Sequence, residues 1–153
     1  MQLTKKRRHA TEITKDNIKD FDVFVSCGGD GTVNEIINGL AKTDKTLGIL
    51  PIGNGNDYAT LLSVKGSYIQ ALNILEENKK TELNLGFAIA NTKHYFANIA
   101  ETGITSVIAK ASYTELKWIK GLPKYYILGF KKFPAINLFK LTSELIIMKE
   151  KQN

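Results

Sequence analysis

The chain has 153 residues, one cysteine and a formal net charge of +6. No run of about 18 uncharged apolar residues occurs, so we expect no membrane-spanning helix, and the basic N-terminus lacks the apolar stretch of a secretory signal. The single Cys27 excludes an internal disulfide and favours a cytoplasmic protein. The length suits one globular domain, or one domain and part of another.

The excess positive charge lies at one end of the chain. Residues 1–109 hold 12 basic and 12 acidic side chains, whereas residues 110–153 hold nine lysines and three glutamates. Aromatic residues are interleaved with these lysines, and they are Trp118, Tyr125, Tyr126, Phe130 and Phe133. This pattern suits an anionic membrane surface or a nucleic acid, and it equally suits a solvated lysine-rich face over an ordinary core.

The first half of the chain alternates between apolar runs and helical patterns. Residues 21–26 and 47–52 predict two buried strands, each followed by a glycine-rich turn. Between them, apolar residues at helical spacing predict a helix, and Thr32 and Glu35 have the spacing of a capping box, so this helix is predicted to begin at Thr32. Further helices are predicted from Tyr58 and over 69–75. This alternation predicts a parallel α/β sheet.

The pattern changes after residue 81. Residues 82–90 and 93–100 predict a hairpin, and residues 104–133 predict helices with a break near 121–123. Two more strands are predicted over 136–142 and 144–149. We therefore expect an α/β domain over residues 1–81 and part of a β-rich domain over residues 82–153.

The two glycine turns suggest a chemistry. Both follow the carboxyl end of a predicted strand, where open α/β sheets bind ligands. Main-chain N–H groups of a turn such as 28–31 can approach an anion, and the following helix adds its positive end. Asp30 and Asp57 in such turns suit a divalent cation or a substrate hydroxyl, hence Mg²⁺-dependent phosphoryl transfer. The alternative is that both are tight turns in which Asp serves only the turn geometry.

The same residues resemble a known family. Residues 28–32 read GGDGT, followed by NE at 34–35 and NGL at 38–40, and residues 50–59 read LPIGNGNDYA. Together these two blocks resemble the diacylglycerol kinase catalytic domain family, especially its bacterial lipid kinases. NAD kinases are similar in the first block only. Weaker similarities to the family lie at Thr4, His9-Ala10, Phe96, Asn98, Gly103, Gly121 and Tyr125-Tyr126.

The resemblance implies a fold and a site. Residues 1–81 would form an α/β nucleotide-binding domain of the NAD kinase/diacylglycerol kinase type, followed by the beginning of a β-sandwich domain. Asp30 and Asp57 would be catalytic, with Asp57 organising metal or the substrate hydroxyl, and Asn34 would lie beside the site. ATP, used with Mg²⁺, would be bound by Thr4, Gly28, Gly29, Asp30, Gly31, Thr32, Glu35, Gly53, Asn54, Gly55 and Asn56. The resemblance assigns no metal ligands.

The chain also departs from the family pattern. Family members usually have a first strand before the Thr4 segment and a DGE-type motif further on, and neither occurs here, so we expect a chain truncated at both ends. The family's D-x-G segment reads Asn84-Leu85-Gly86, which replaces a carboxylate with an amide that holds Mg²⁺ more weakly. A second Asp is replaced at Thr105. Asn54 and Tyr58 replace the usual Thr and Phe.

Three functions therefore stay open. The first is an ATP-dependent lipid kinase, or a piece of one, that acts on a lipid hydroxyl such as that of diacylglycerol while peripheral at the membrane surface. The second is a catalytically inactive nucleotide-binding remnant. The third is a basic membrane-surface or nucleic-acid-binding module, which would leave the glycine turns unexplained. For the first function we expect no nucleic-acid partner, and exposed sheet edges would favour a homodimer.

Overall fold

A computed structural model describes residues 1–64, 68–89, 92–100, 104–116, 118–119, 122–132 and 148–150. Contacts divide the chain into a first unit of residues 1–99 and 145–153 and a second unit of residues 100–144. The domain boundary predicted between residues 81 and 82 does not coincide with this division, and it stays a prediction.

The first unit contains a parallel strand pair flanked by helices. In chain order its elements are α1 (His9–Asp16), β1 (Val23–Gly28), α2 (Asp30–Leu40), β2 (Thr46–Pro51), α3 (Asp57–Leu61), α4 (Tyr68–Glu76), β3 (Leu85–Ile89) and β4 (Lys93–Phe96). Strands β1 and β2 are parallel, with Val23 opposite Thr46 and Gly28 opposite Pro51. The predicted mixed α/β fold class with a parallel sheet is confirmed, and both strands lie within two residues of their predicted positions.

A second sheet in this unit is antiparallel. Strand β3 pairs with β4, with Gly86 opposite Phe96, and on its other side with β5 (Met148–Glu150). The predicted hairpin is thus confirmed, while the strand predicted over 136–142 lies outside the described residues. Gly86 lies against the Phe96 ring, and a Cβ at this position would lie 2.6 Å from the ring, so a larger residue here would force the ring to move.

The core of the first unit lies on both sides of α2. Val33 and Ile37 pack with Ile49 of β2 and with Tyr58 and Ala59 of α3. On the neighbouring face, Ile36 and Leu40 pack with Ala10 of α1. The four apolar positions predicted for this helix are all buried, which confirms its predicted orientation. Gly39 lets α1 approach, since a Cβ there would lie 2.6 Å from Thr14 Cβ.

The predicted start of α2 was wrong. The helix begins at Asp30, its N-cap residue is Gly29, and no side chain caps it. Thr32 instead packs over Gly28, where a Cβ would lie 2.8 Å from Thr32 Oγ1. The Glu35 carboxylate accepts hydrogen bonds from Arg8 and Ala10 rather than from its own helix. The capping-box prediction failed because the Glu35 carboxylate binds main-chain N–H groups of residues distant in sequence instead of the N-terminus of its own helix.

The second unit contains α5 (Ile104–Thr114) and α6 (Leu122–Lys132). Leu128 of α6 is fully buried. Glu115, just after α5, accepts hydrogen bonds from Lys131 and Lys132 of α6 at 2.7 and 2.6 Å. The two predicted helices are confirmed, but the break predicted near 121–123 was placed too late, because α5 ends at Thr114 and α6 already begins at Leu122. Trp118 and Phe130 are more than three-quarters exposed. No helix in the described ranges is long and apolar enough to cross a membrane.

Candidate functional site

Both glycine turns leave the same edge of the parallel strand pair and touch each other. Gly28 ends β1 opposite Pro51 of β2, and the Ile52 N–H donates to the Gly28 carbonyl at 3.3 Å. A Cβ on Gly53 would collide with Gly29 Cα and lie 3.0 Å from Gly29 N. The two turns therefore pack backbone against backbone, which only glycine permits at this separation.

Asn56 holds the second turn closed. Its Oδ1 accepts the Gly53 N–H at 2.9 Å, and its Nδ2 donates to the Gly53 carbonyl at 2.8 Å. Asn56 also adopts the left-handed conformation, with φ 56°, directly before α3. Asn tolerates this region better than most residues because its short side chain bonds locally. The predicted binding residue Asn56 thus shapes the turn, while Asn54 is exposed on it.

Asp30 links the two turns. Its Oδ1 accepts the main-chain N–H of Tyr58 at 3.1 Å, so a carboxylate in the first turn of α2 caps the N-terminus of α3. Its other oxygen lies 2.9 Å from the position of a Gly55 Cβ, and Asp57 Oδ1 lies 3.8 Å from the same point. Gly55 therefore leaves room for both predicted catalytic carboxylates at one place.

The N-terminus of α2 is open. The space beside Gly31 is empty, since a Cβ there would have no neighbour within 4 Å. The first N–H groups of a helix have no partner within it and carry the positive end of its dipole. An anion can therefore approach the N-terminus of α2 at Gly31. The residues present fit a nucleotide phosphate.

The same edge fits a Mg²⁺ ion held mainly by water and phosphate. Asp30 and Asp57 offer two carboxylates beside Gly55. Among the residues that the structure describes, no group of three or more His, Cys, Asp or Glu side chains could hold a metal. Mg²⁺ commonly binds through one or two carboxylates together with substrate phosphates and waters, so the arrangement suits a substrate-borne ion.

Tyr58 connects this edge to the core. Only 7% of its surface is exposed, and its hydroxyl donates to Asn34 Oδ1 at 3.2 Å. Burial raises the pKa of Tyr58, a main-chain hydrogen bond with Ala97 opposes this, and the charge of Asp30 raises the pKa further. The hydroxyl therefore stays protonated at neutral pH and acts as a donor.

Asn38 joins α2 to the antiparallel sheet. Its Nδ2 donates to the Tyr95 carbonyl at 2.9 Å, and its Oδ1 accepts the Tyr95 N–H at 2.8 Å. The amide thus pairs with β4 as a neighbouring strand would. Sequence reasoning assigned no role to Asn38 or to the hydroxyl of Tyr58. The available signal was two asparagines four residues apart, at 34 and 38, on a helix whose other inward positions are apolar.

The predicted nucleotide-binding residue Glu35 makes its contacts away from the glycine turns. Glu35 accepts the N–H groups of Arg8 at 2.8 Å and of Ala10 at 3.1 Å, so both its carboxylate oxygens are engaged at the start of α1. Thr4 is exposed in the segment before α1. The structure brings Gly28, Gly29, Asp30, Thr32, Gly53, Gly55, Asn56 and Asp57 together. The nucleotide-binding roles of all these residues stay predictions.

Comparison with known protein families identifies the segment that contains this site. The model of the diacylglycerol kinase catalytic domain matches residues 1–88, which include both glycine turns. The chain belongs to the diacylglycerol kinase catalytic domain family. The family assignment inferred from the two glycine blocks is thereby confirmed.

Individual members of the diacylglycerol kinase family agree with this. Over 136 residues the chain is 32% identical to a diacylglycerol kinase from Staphylococcus saprophyticus, covering 88% of this chain and 44% of the relative. A diacylglycerol kinase from Staphylococcus aureus is 32% identical over 128 residues, which are 82% of this chain and 40% of that protein. The chain thus spans less than half the length of these relatives.

Solved structures show the same fold. A crystal structure of a diacylglycerol kinase from Bacillus anthracis superposes with a TM-score of 0.55 at 30% sequence identity, covering 62% of this chain and 35% of that chain. The described α/β arrangement is therefore that of diacylglycerol kinases, which share the NAD kinase-like fold.

Proposed function

We propose that this chain carries the nucleotide-binding part of an ATP-dependent lipid kinase, whose acceptor is a lipid hydroxyl such as that of diacylglycerol. The observation that supports this most is the contact of Gly29 with Gly53, which brings two glycine turns and two carboxylates to one sheet edge. Family membership supports ATP as the phosphate donor.

The proposed nucleotide site lies at the N-terminus of α2. Gly29 and Gly31 present main-chain N–H groups to phosphate oxygens, and Thr32 adds its hydroxyl. The absence of a side chain at Gly31 supports this role, because the space beside it is open. Thr4, Asn54 and Glu35 would act at the margin of the site, Glu35 indirectly by holding the segment that contains Thr4 and Arg8.

The proposed reaction joins the lipid hydroxyl oxygen to the γ-phosphorus and breaks the bond from that phosphorus to the β–γ bridging oxygen. Bound Mg²⁺ would neutralise charge on the phosphates. Asp57 is exposed at the edge and is the proposed group that orients the substrate hydroxyl and receives its proton. Asp30, anchored by Tyr58, would hold the waters of the ion.

We also propose that the acceptor is reached at a membrane surface. Trp118, Tyr126 and Phe130 of the second unit are exposed, and the excess lysines of the chain lie in the same region. Aromatic and basic side chains together favour an anionic lipid interface. The exposed residues Val23 and Val25 of β1 support homodimer formation through this strand.

A nucleotide-binding protein without phosphate transfer is the second candidate. Asn84, which is exposed just before β3, stands where the family pattern has a carboxylate. This substitution weakens metal binding there without affecting the two glycine turns. It favours binding without turnover.

The test is Mg²⁺-dependent transfer of the ATP γ-phosphate to diacylglycerol in mixed micelles. Asp30→Asn is the informative variant, because it removes the charge and keeps an oxygen that accepts the Tyr58 N–H. Asp44→Asn removes an exposed charge between α2 and β2 and is the matched control. We expect transfer to be lost in Asp30→Asn and unchanged in Asp44→Asn.

Three other results would change the proposed function. MgATP binding without transfer in the wild-type chain would establish the second candidate. Equal transfer by Asp30→Asn and the wild type would show that Asp30 serves only to cap α3. A folded chain that does not bind MgATP would refute the nucleotide site.

A further inference from the structure

The outer face of α3 carries a carboxylate and an apolar side chain. Tyr58 and Ala59 of this helix are buried, and Leu62 packs against the same core cluster. Asp57 and Leu61 are the first and last residues of α3. Both are exposed, and 49% of the Leu61 surface is open to solvent. Because residues four apart lie on the same face of a helix, the proposed acceptor carboxylate and an exposed leucine share the face that the core does not cover.

The direction of the Leu61 side chain brings it toward Asp57. Side chains of a helix tilt toward its N-terminus, so Leu61 covers the turn that begins at Asp57. Thr60 shares this exposed face, and its hydroxyl donates to the Asn56 carbonyl at 3.2 Å. Asp57 is the only charged residue of α3. An apolar group attached to a hydroxyl at Asp57 therefore lies on the side of Leu61.

The segment that contains Asp57 is otherwise uncharged. Residues 47–64 have one charged side chain, that of Asp57, in a chain of which 24% of the residues are charged. Ile52, which is 66% exposed, directly precedes Gly53, and the Gly53 N–H donates to Asn56 Oδ1 at 2.9 Å. This closed turn places Ile52 and Asp57 at its two ends. Single exposed apolar residues are common on protein surfaces, but two that flank one carboxylate suit a substrate that joins a hydroxyl to an apolar body.

We propose that Leu61 is a specificity-determining residue, whose side chain contacts the acyl part of the lipid acceptor, with Ile52 as a second contact. The inference rests on the proposed function, because it takes Asp57 to be the group that orients the acceptor hydroxyl. It adds a contact for the apolar part of the substrate, which the glycine turns and the carboxylates do not supply. An acceptor with longer acyl chains covers more of this apolar surface and binds more tightly.

The experiment compares two acceptors that differ only in acyl length. Dihexanoylglycerol and dibutyrylglycerol are titrated as monomers into the full chain with MgADP, which permits no phosphate transfer, and each Kd is measured by NMR. Leu61→Ser removes the apolar side chain, whereas Leu61→Met keeps one. We expect Leu61→Ser to raise the Kd of dihexanoylglycerol about fivefold and that of dibutyrylglycerol less than about twofold. Leu61→Met should bind both acceptors as the wild type does.

The decisive quantity is the Kd of dibutyrylglycerol divided by that of dihexanoylglycerol. A variant that merely loosens α3 weakens both acceptors equally and leaves this ratio unchanged, whereas loss of an acyl contact lowers it. Leu72→Ser is the matched control, because Leu72 of α4 is 46% exposed and lies in the same unit. Both of its Kd values should equal those of the wild type. Ile52→Ser should lower the ratio as Leu61→Ser does, which covers the case in which Leu61→Ser fails to fold.

The outcomes separate this inference from the proposed function. A wild-type ratio in Leu61→Ser and in Ile52→Ser, with both acceptors bound, would overturn the acyl contact and leave the kinase function in place. A lowered ratio in Leu61→Ser, in a chain whose wild type transfers no phosphate from MgATP, would support the acyl contact and overturn the kinase function. A wild-type chain that binds neither acceptor would overturn both the lipid acceptor and the role of Leu61.

Discussion

Glu35 Oε1, in the middle of α2, accepts the main-chain N–H of Arg8 at 2.8 Å, and its Oε2 accepts that of Ala10 at 3.1 Å. The Glu35 carbonyl also accepts the Thr11 hydroxyl at 2.7 Å. The start of α1 has no cap from its own N-cap residue. A side chain 27 residues further along the chain therefore caps this helix and fixes it beside α2.

Removing the Glu35 carboxylate should loosen α1. We expect Glu35→Ala to lower the free energy of unfolding by about 2 kcal/mol, because two main-chain N–H groups lose a charged acceptor. Glu35→Gln should lose less, since one oxygen remains. Urea unfolding and hydrogen exchange of α1 amides measure this. The control is Glu76→Ala at the exposed end of α4, and an equal effect of Glu76→Ala and Glu35→Ala would contradict the capping role.

Arg8 occupies a backbone conformation that suits glycine, with φ 66° and ψ 4°. We expect Arg8→Gly to raise the free energy of unfolding by about 0.5–1 kcal/mol, because relief of the left-handed strain outweighs the added chain entropy. The hydrogen bond to Glu35 is retained, since it uses the main chain. Arg7→Gly removes the same charge at a residue with ordinary φ. A gain in stability there as large as in Arg8→Gly would refute the explanation.

Replacing Gly53 or Gly31 by alanine should change the free energy of unfolding in opposite directions. A Cβ at Gly53 would collide with the main chain of Gly29, so we expect Gly53→Ala to cost about 2–4 kcal/mol of stability. A Cβ at Gly31 meets open space, so Gly31→Ala should raise helix stability by up to about 1 kcal/mol while weakening MgATP binding. Thermal unfolding and calorimetric titration separate the two effects. Similar stability changes in both variants would contradict the close packing of the turns.

Replacing Asn38 should lower the stability of the fold. Both hydrogen bonds to the Tyr95 main chain are lost in Asn38→Ala, and two partly buried main-chain groups are left without partners. We expect a loss of about 2–3 kcal/mol and faster hydrogen exchange at the Tyr95 amide. Asn73→Ala on the exposed face of α4 is the control and should change stability by less than about 0.5 kcal/mol. Unchanged hydrogen exchange at the Tyr95 amide in Asn38→Ala would rule out the pairing of Asn38 with the Tyr95 main chain.

The ion pairs of Glu115 should make the second unit sensitive to acid. Hydrogen bonds from Lys131 and Lys132 lower the pKa of Glu115 from 4.5 to about 2. A lowered pKa stabilises the folded state above pH 4.5, and this contribution is lost as the pH falls from 4.5 to about 2. Titration of the Glu115 carboxyl by NMR measures the pKa. The double variant Lys131→Gln, Lys132→Gln should return it toward 4.5, and high salt should raise it partly.

Local patterns determined much of the first unit. The sequence predicts β1 and β2 from two apolar runs, and it predicts the buried face of α2 from the helical spacing of its apolar residues. Both predictions succeed because the periodicity of apolar residues reflects the side that each element buries. The apolar residues of α2 are Val33, Ile36, Ile37 and Leu40. The two glycine blocks predict the turns of the candidate site because glycine is needed where main chains approach each other. These features place both turns at the carboxyl ends of neighbouring parallel strands, which locates the candidate site without coordinates.

Only the tertiary structure decided which groups the polar side chains serve. The T-x-x-E spacing predicted that Glu35 caps its own helix, yet it caps α1. Asp30 caps α3, and Asn38 pairs with Tyr95, 57 residues away. A hydrogen bond depends on distance and direction in space, which local spacing constrains only within one helix. Partners contributed by other elements are therefore set by how α1, α3 and β4 pack around α2.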